Sequence, residues 1–389
     1  MKKLLLALVL LLPFLAAPLS AFAATAYPKS GTDGITNLFL TYTGYSPNGD
    51  GTSEEQHWKT NDFLPILTHI DRTYNHADGL MFTDYLFTAV AVKDGFGQLK
   101  NIAQMNDGKP ATPSDWKIYM NQLFQGNDPA YYPENIGALY DASLHNGLTR
   151  AIPVNVWIAL PYPDPKVFST DSQRISALEN WMDLFIYTWN TKGYASNFQL
   201  KGFYWIGETV ADTADFKDTR VIQAINDYIH NKAVNKEDYS ALWIPYEGAT
   251  GWNQWANLHF DLSFLQPNYY FYSNKDLTKG VFHAYSTNQG VEMEFDLGVT
   301  WDYKKDGYRS KFLSYMNQGV TGVDRYVPQY FAPYQPPNAA LAWYTGGWWW
   351  SHEKRDQSIL KLFRTGDKLY DSLYSFLNGT YKVPVNHGK

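Results

Sequence analysis

Short β-rich runs alternate with longer amphipathic stretches along this chain, and that alternation constrains the fold more than any other feature of the sequence. The runs read as Asn37–Thr43, Gly79–Leu86, Val154–Leu160, Gly202–Glu208, Ala241–Tyr246, Leu262–Gln266 and Val291–Asp296. An eighth falls near Gly322–Tyr326 or at Ala340–Tyr344. Between the third and fourth runs, Ile175, Leu178, Trp181, Phe185 and Trp189 recur at spacings of three and four, which places them on one helical face. Val221, Ile225, Tyr228 and Ile229 repeat the pattern after the fourth run. A last helix is expected from about Asp356 to Asn378, with Ile359, Leu362, Leu369, Leu373 and Phe376 in its stripe. Gly379 follows as a stop signal, and Gly366 is placed to break the helix in two. Strand–helix alternation of this length predicts an α/β fold with a parallel sheet, closed as a single (β/α)8 TIM-type barrel. No GxGxxG or Walker-type loop follows the first run, which argues against a nucleotide-binding doubly wound sheet.

The N-terminus reads as a secretory signal. Lys2 and Lys3 precede the apolar run Leu4–Leu12, and Ala21-Phe-Ala23 offers small residues for cleavage. The run is shorter than the ~20 residues a spanning helix needs. Residues 1–23 are therefore expected to be removed, leaving 24–389 as one domain of a secreted, periplasmic or extracellular protein, without membrane insertion and monomeric. Loss of Lys2 and Lys3 takes the formal charge from −6 to −8, against nucleic acid as a partner. The chain has no cysteine, so disulfides, thiolate catalysis and Cys-ligated metals are excluded. Aromatics make up 17% of the residues against 18% charged, which fits either a large aromatic core or a surface on which pyranose rings stack.

Catalytic residues of a β/α barrel stand at the C-terminal ends of its strands, and two runs end in acids. Glu208 closes the fourth. Glu292, Glu294 and Asp296 alternate along the seventh, so they share a face opposite Val291, Met293 and Phe295. The apolar set suits the helix layer and the acidic set the barrel interior. Burying several carboxylates together is costly unless a site requires one acid protonated beside one ionised. Tyr204 and Ile206 share the parity of Glu208. Two carboxylates on the fourth and seventh strands can flank a glycosidic bond. Glu294, nearer the strand end, is expected to be the nucleophile and Glu292 to orient it, with Glu208 as proton donor.

Gly202-Phe-Tyr-Trp-Ile-Gly-Glu208, Trp243-Ile-Pro-Tyr246, Gln266-Pro-Asn-Tyr-Tyr-Phe271 and Gly290-Val-Glu-Met-Glu-Phe-Asp296, in series, resemble the bacterial family known as domain of unknown function 4855. Asp115-Trp116, Leu160-Pro-Tyr-Pro163 and Leu369-Tyr-Asp-Ser-Leu-Tyr374 continue the match. The resemblance implies a glycosidase-like barrel and a secreted protein that acts on or binds polysaccharide. The acid placement is also similar to that of the large clan of retaining glycosidases, with one departure: Gly207 stands where that clan carries an Asn that contacts the sugar 2-hydroxyl.

Gln266 and Asn268 bracket Pro267 and are expected either to bind sugar hydroxyls or to cap the turn. Tyr162 and Tyr246 fall at or beyond strand ends and are further candidates to contact substrate, whereas Trp205 has the wrong parity and reads as core. Trp348-Trp-Trp350 reads as a lid or as rim packing. Ser46-Pro-Asn-Gly-Asp-Gly51 fails the EF-hand spacing and reads as a turn. Neither HExxH nor GxSxG occurs. The expectation is a retaining, endo-acting glycoside hydrolase of polysaccharides or oligosaccharides needing no cofactor and no metal. The alternative is a non-catalytic glycan-binding or cell-envelope protein on the same barrel.

Overall fold

Eight parallel strands close on themselves in chain order. They are β1 (Asn37–Pro47), β2 (Asp84–Ala89), β3 (Val154–Leu160), β4 (Phe198–Trp205), β5 (Ser240–Trp243), β6 (Leu262–Leu265), β7 (Gly290–Glu294) and β8 (Leu341–Tyr344). The ring is sealed where β8 pairs with β1, Asn37 opposite Leu341 and Phe39 opposite Trp343. This is the expected TIM-type barrel. The computed structural model describes residues 26–47, 53–73, 76–105, 108–125, 133–145, 147, 152–231, 239–300, 307–322, 333–346 and 357–384. The signal segment 1–23, most of the Ser46–Gly51 turn, residues 323–326 of the first alternative for the eighth strand, and Trp348–Trp350 lie outside the described residues.

Helices cover the strands. They are α1 (Thr60–Leu67), α2 (Pro113–Gln125), α3 (Ile136–His145), α4 (Asp171–Thr191), α5 (Asp218–Asn231), α6 (Leu277–Ser286), α7 (Tyr308–Thr321), α8 (Ser358–Thr365) and α9 (Lys368–Leu377). α4 begins where the Thr170 side chain accepts the Gln173 amide, satisfying a donor that the first turn leaves free. It buries Leu178, Trp181, Phe185 and Trp189 as the spacing predicts. Gly366 does divide the last helix: its φ of 72° is left-handed, and Asp367 then caps α9 by accepting from the Leu369 amide.

Three expectations are corrected. The second barrel strand is Asp84–Ala89, not Gly79–Leu86, because His76–Leu80 pairs with Thr68–Asp71 in a separate hairpin. No α-helix joins β5 to β6; the segment carries Gly248 and Gly251 at positive φ and makes only the 3-10 turn Trp255–Leu258. The seventh strand stops at Glu294, and Asp296 accepts the Gly298 amide at 2.7 Å to start the next turn.

Register fixes what faces inward. Glu292 pairs with Ala342, Ala342 with Leu38, Leu38 with Asp84, and Asp84 with Asn155. Neighbours across a parallel sheet share a face, so all five point into the barrel. At its floor, the Asp84 carboxylate accepts from the Thr36 amide at 3.1 Å and Asn155 Nδ2 at 2.8 Å, tying together the first three strands. Much of the aromatic content goes into the core: Trp157, Trp243 and Trp343, all on barrel strands, are fully buried. The hairpin beside α1 docks on α9. His69 lies between Asp78 and Asp371 at 2.7 and 3.0 Å and stacks on Tyr374 with ring centroids 4.2 Å apart. The Tyr370 hydroxyl donates to the Pro65 carbonyl, so the Leu369–Tyr374 motif is a clasp between the two ends of the fold.

Candidate active site

A cavity of about 580 Å³ opens at the C-terminal ends of the strands. Glu208, Glu292, Tyr204, Tyr246, Gln266 and Asn268 line it, as the sequence anticipates. Tyr42, Tyr344, Gln104 and Phe271 line it too, and the sequence reading passes over them. Tyr42 and Tyr344 share the inward parity of Leu38 and Ala342 on β1 and β8, so the alternation that singles out Glu292 finds them as well. Gln104 follows a short hairpin strand, Leu99–Asn101, and no periodicity marks it.

Glu208 stands three residues beyond β4, on a turn held by Trp243 Nε1, which donates to the Gly207 carbonyl at 2.6 Å. It is exposed, yet its free surface faces the cavity and protein encloses the carboxylate on nearly every other side. That enclosure raises its affinity for a proton, and a hydrogen bond from Gln266 pulls it partly back. Gln266 is itself fixed, its Nε2 donating to the Ile244 carbonyl at 2.8 Å.

Of the two glutamates of β7, it is Glu292 and not Glu294 that faces the cavity. Glu292, 3% exposed, faces the cavity, and no described residue donates a hydrogen bond to it. Burial, then repulsion from Glu294 and Glu208, holds its carboxyl well above the usual carboxylate range. Glu294 does not line the cavity. Its carboxylate accepts the Tyr315 hydroxyl from α7, the Asn268 amide at 2.7 Å and the Tyr270 amide at 3.4 Å. Burial pushes it up to about 7 against the pull of those donors. Being last in its strand, Glu294 reaches sideways to the loop after β6 instead of into the barrel. Asn268 presents its amide there from a left-handed backbone (φ 58°), a conformation Asn tolerates. Asn268 thus stands at the turn and also lines the cavity.

Asp296 and Tyr162 are not cavity residues. Asp296 accepts the Tyr270 hydroxyl at 2.7 Å as well as the Gly298 amide. The Tyr162 hydroxyl donates to Asp218 at 3.0 Å, and Asp218 pairs with the fully buried Arg174, which also donates to Asp171 at 3.1 Å and the Pro163 carbonyl at 2.6 Å. This network still reaches the cavity, because Gln104 Nε2 donates to the Tyr162 hydroxyl at 3.2 Å. Its other amide atom lies beside Gly207: a Cβ there would stand 3.0 Å from Gln104 Oε1 and 2.8 Å from Trp205 Nε1. A side chain at 207 has no room, and the amide of Gln104 occupies that ground instead.

Tyr42 and Tyr204 stay protonated, since burial and the nearby carboxylates raise both hydroxyls well above their ordinary range. The cavity therefore holds two acids, neutral hydroxyl donors and amides, with the partly exposed Phe271 in its lining. Among the described residues no group of three or more His, Asp or Glu is placed to hold a metal ion. Such a set can bind a polyhydroxylated ligand and move protons on it.

Residues 37–335 match a family described as Domain of unknown function (DUF4855). That stretch contains the four motifs from Gly202 to Asp296 and stops before the Leu369–Tyr374 clasp. No curated protein matches the chain.

Proposed function

The chain belongs to the family described as domain of unknown function 4855, and we propose that its cavity is the active site of a secreted glycoside hydrolase acting on polysaccharide. One observation carries this reading: Glu208 and Glu292, from strands three apart around the ring, face a single cavity at the catalytic end of the barrel. Two carboxylates on opposite sides of a glycosidic bond supply the proton donor and the nucleophile that its cleavage requires. Glu208, on the turn above the strands and raised by its enclosure, donates to the leaving oxygen. Glu292, inside the barrel and without a donor from any described residue, attacks the anomeric carbon once bound substrate favours its ionised form. Water deprotonated by Glu208 then releases the sugar with net retention. Glu294, satisfied by three donors, sets the charge against which Glu292 ionises. Phe271 offers an aromatic face to a flanking sugar ring.

The test is a polysaccharide screen scored by released reducing ends. Glu208→Gln and Glu292→Gln are expected to lower turnover by roughly 10³-fold or more, as loss of a covalent or acid–base group does. Glu294→Gln should retain measurable activity with a shifted pH optimum. Equal product release by wild type and the first two variants would remove the assignment. Binding of glycans without any release would favour a binding protein on this barrel. The anomer first formed, read by proton NMR, tests retention.

A further inference from the structure

Glu292 is a buried carboxylate aimed into a cavity with no hydrogen-bond donor from any described residue, whereas its neighbour Glu294 has three. Glu208 shares the cavity with it. The described residues lining that cavity include no Lys, Arg or His. Described basic groups on neighbouring elements are engaged elsewhere: Lys275, Lys279 and His283 converge on Glu247, and Lys311 Nζ donates to the Tyr270 carbonyl at 3.0 Å. Two carboxylates in one enclosed space cannot both ionise readily without a cation. A sugar hydroxyl supplies a donor but no charge. An anionic sugar adds repulsion.

We propose, building on the hydrolase reading above, that the ring bound against Glu292 is a hexosamine with its amine free and protonated. An ammonium provides both things that the described residues do not: N–H donors for Glu292 and a positive charge between it and Glu208. Binding then draws the proton off Glu292 to solvent or to Glu208. That leaves the first ionised and the second able to donate, so the substrate itself sets the protonation states that cleavage needs. A uronic acid or an N-acetylated ring cannot do this.

The experiment is calorimetric titration of the full chain at neutral pH with oligosaccharides of glucosamine and of galactosamine, their N-acetylated counterparts, and an oligouronate. At least one free-amine series should bind roughly tenfold or more tighter than its N-acetylated form, the scale of one charge contact away from bulk water. Glu292→Gln should abolish that difference, with thermal unfolding confirming that the variant is folded. Equal or tighter binding of the N-acetylated or anionic series, or no binding of either amine series, overturns the proposal. Amine-dependent binding without cleavage leaves it standing and removes the hydrolase reading. Cleavage of a neutral glycan without amine preference does the reverse.

Discussion

Gly207 shows how one residue sets the geometry of the site. With no side chain, it lets Gln104 approach the turn that carries Glu208, and a Cβ there would meet Trp205 Nε1 at 2.8 Å. Gly207→Ala is expected to lose about 1–3 kcal/mol in urea unfolding, the usual penalty for overfilling a packed site. Part of that loss should return in the double variant with Gln104→Ala, because the two residues contest the same space. An unchanged double-variant midpoint would assign the clash to Trp205 alone. Alternation along a strand made the inward placement of Glu292 legible in the sequence. It could not separate Glu292 from Glu294. That difference is made by the Tyr315 hydroxyl and two backbone amides after β6, and no local pattern links a strand residue to a helix 21 positions later.

At the scale of elements, Arg174 is the joint between α4 and the start of α5. Its guanidinium is fully buried and binds Asp171, Asp218 and the Pro163 carbonyl. Arg174→Met leaves Asp218 buried without its cation and should cost about 3–5 kcal/mol, read as a fall in the thermal midpoint. Arg174→Met with Asp218→Asn should recover much of it. The same change loosens Tyr162 and through it Gln104, so activity per folded molecule should fall as well. The long helices were the elements most legible beforehand, since α4 and α5 carry their apolar stripes over several turns. The second strand was misplaced because Gly79–Leu86 joins the end of a hairpin to the start of a barrel strand, and composition does not change at the join. The β5–β6 connection departs from the repeating pattern because its glycines favour turns.

For the whole molecule, the barrel floor predicts how stability follows pH. Burial pushes Asp84 up to about 6, whereas an unfolded Asp titrates near ~3.9. The folded chain therefore holds this proton more tightly. Its stabilising contribution is complete below about pH 4 and is lost as pH rises through about 6, a difference on the order of 3 kcal/mol. Glu294, at about 7, extends the same trend upward. Urea midpoints measured from pH 4 to 7 should fall in the wild-type chain, and the slope should flatten in Asp84→Asn; an identical slope in the variant would remove Asp84 as its source. The closure of the ring carries a further consequence, for the order of assembly. Trp343 Nε1 donates to Asn37 Oδ1 across 306 residues, and the Asn37–Phe39 part of β1 has its second neighbour only when β8 arrives, whereas its Gly44–Pro47 end pairs with Ser53–Gln56. Such distant pairing slows folding, because a long loop must close before the contact forms. During synthesis β1 emerges first, and its Asn37–Phe39 edge waits open until the other seven strands of the barrel have been made. Ring closure and the α9 clasp both come after the other strands, so the nascent barrel stays unlocked until α8 and α9 appear.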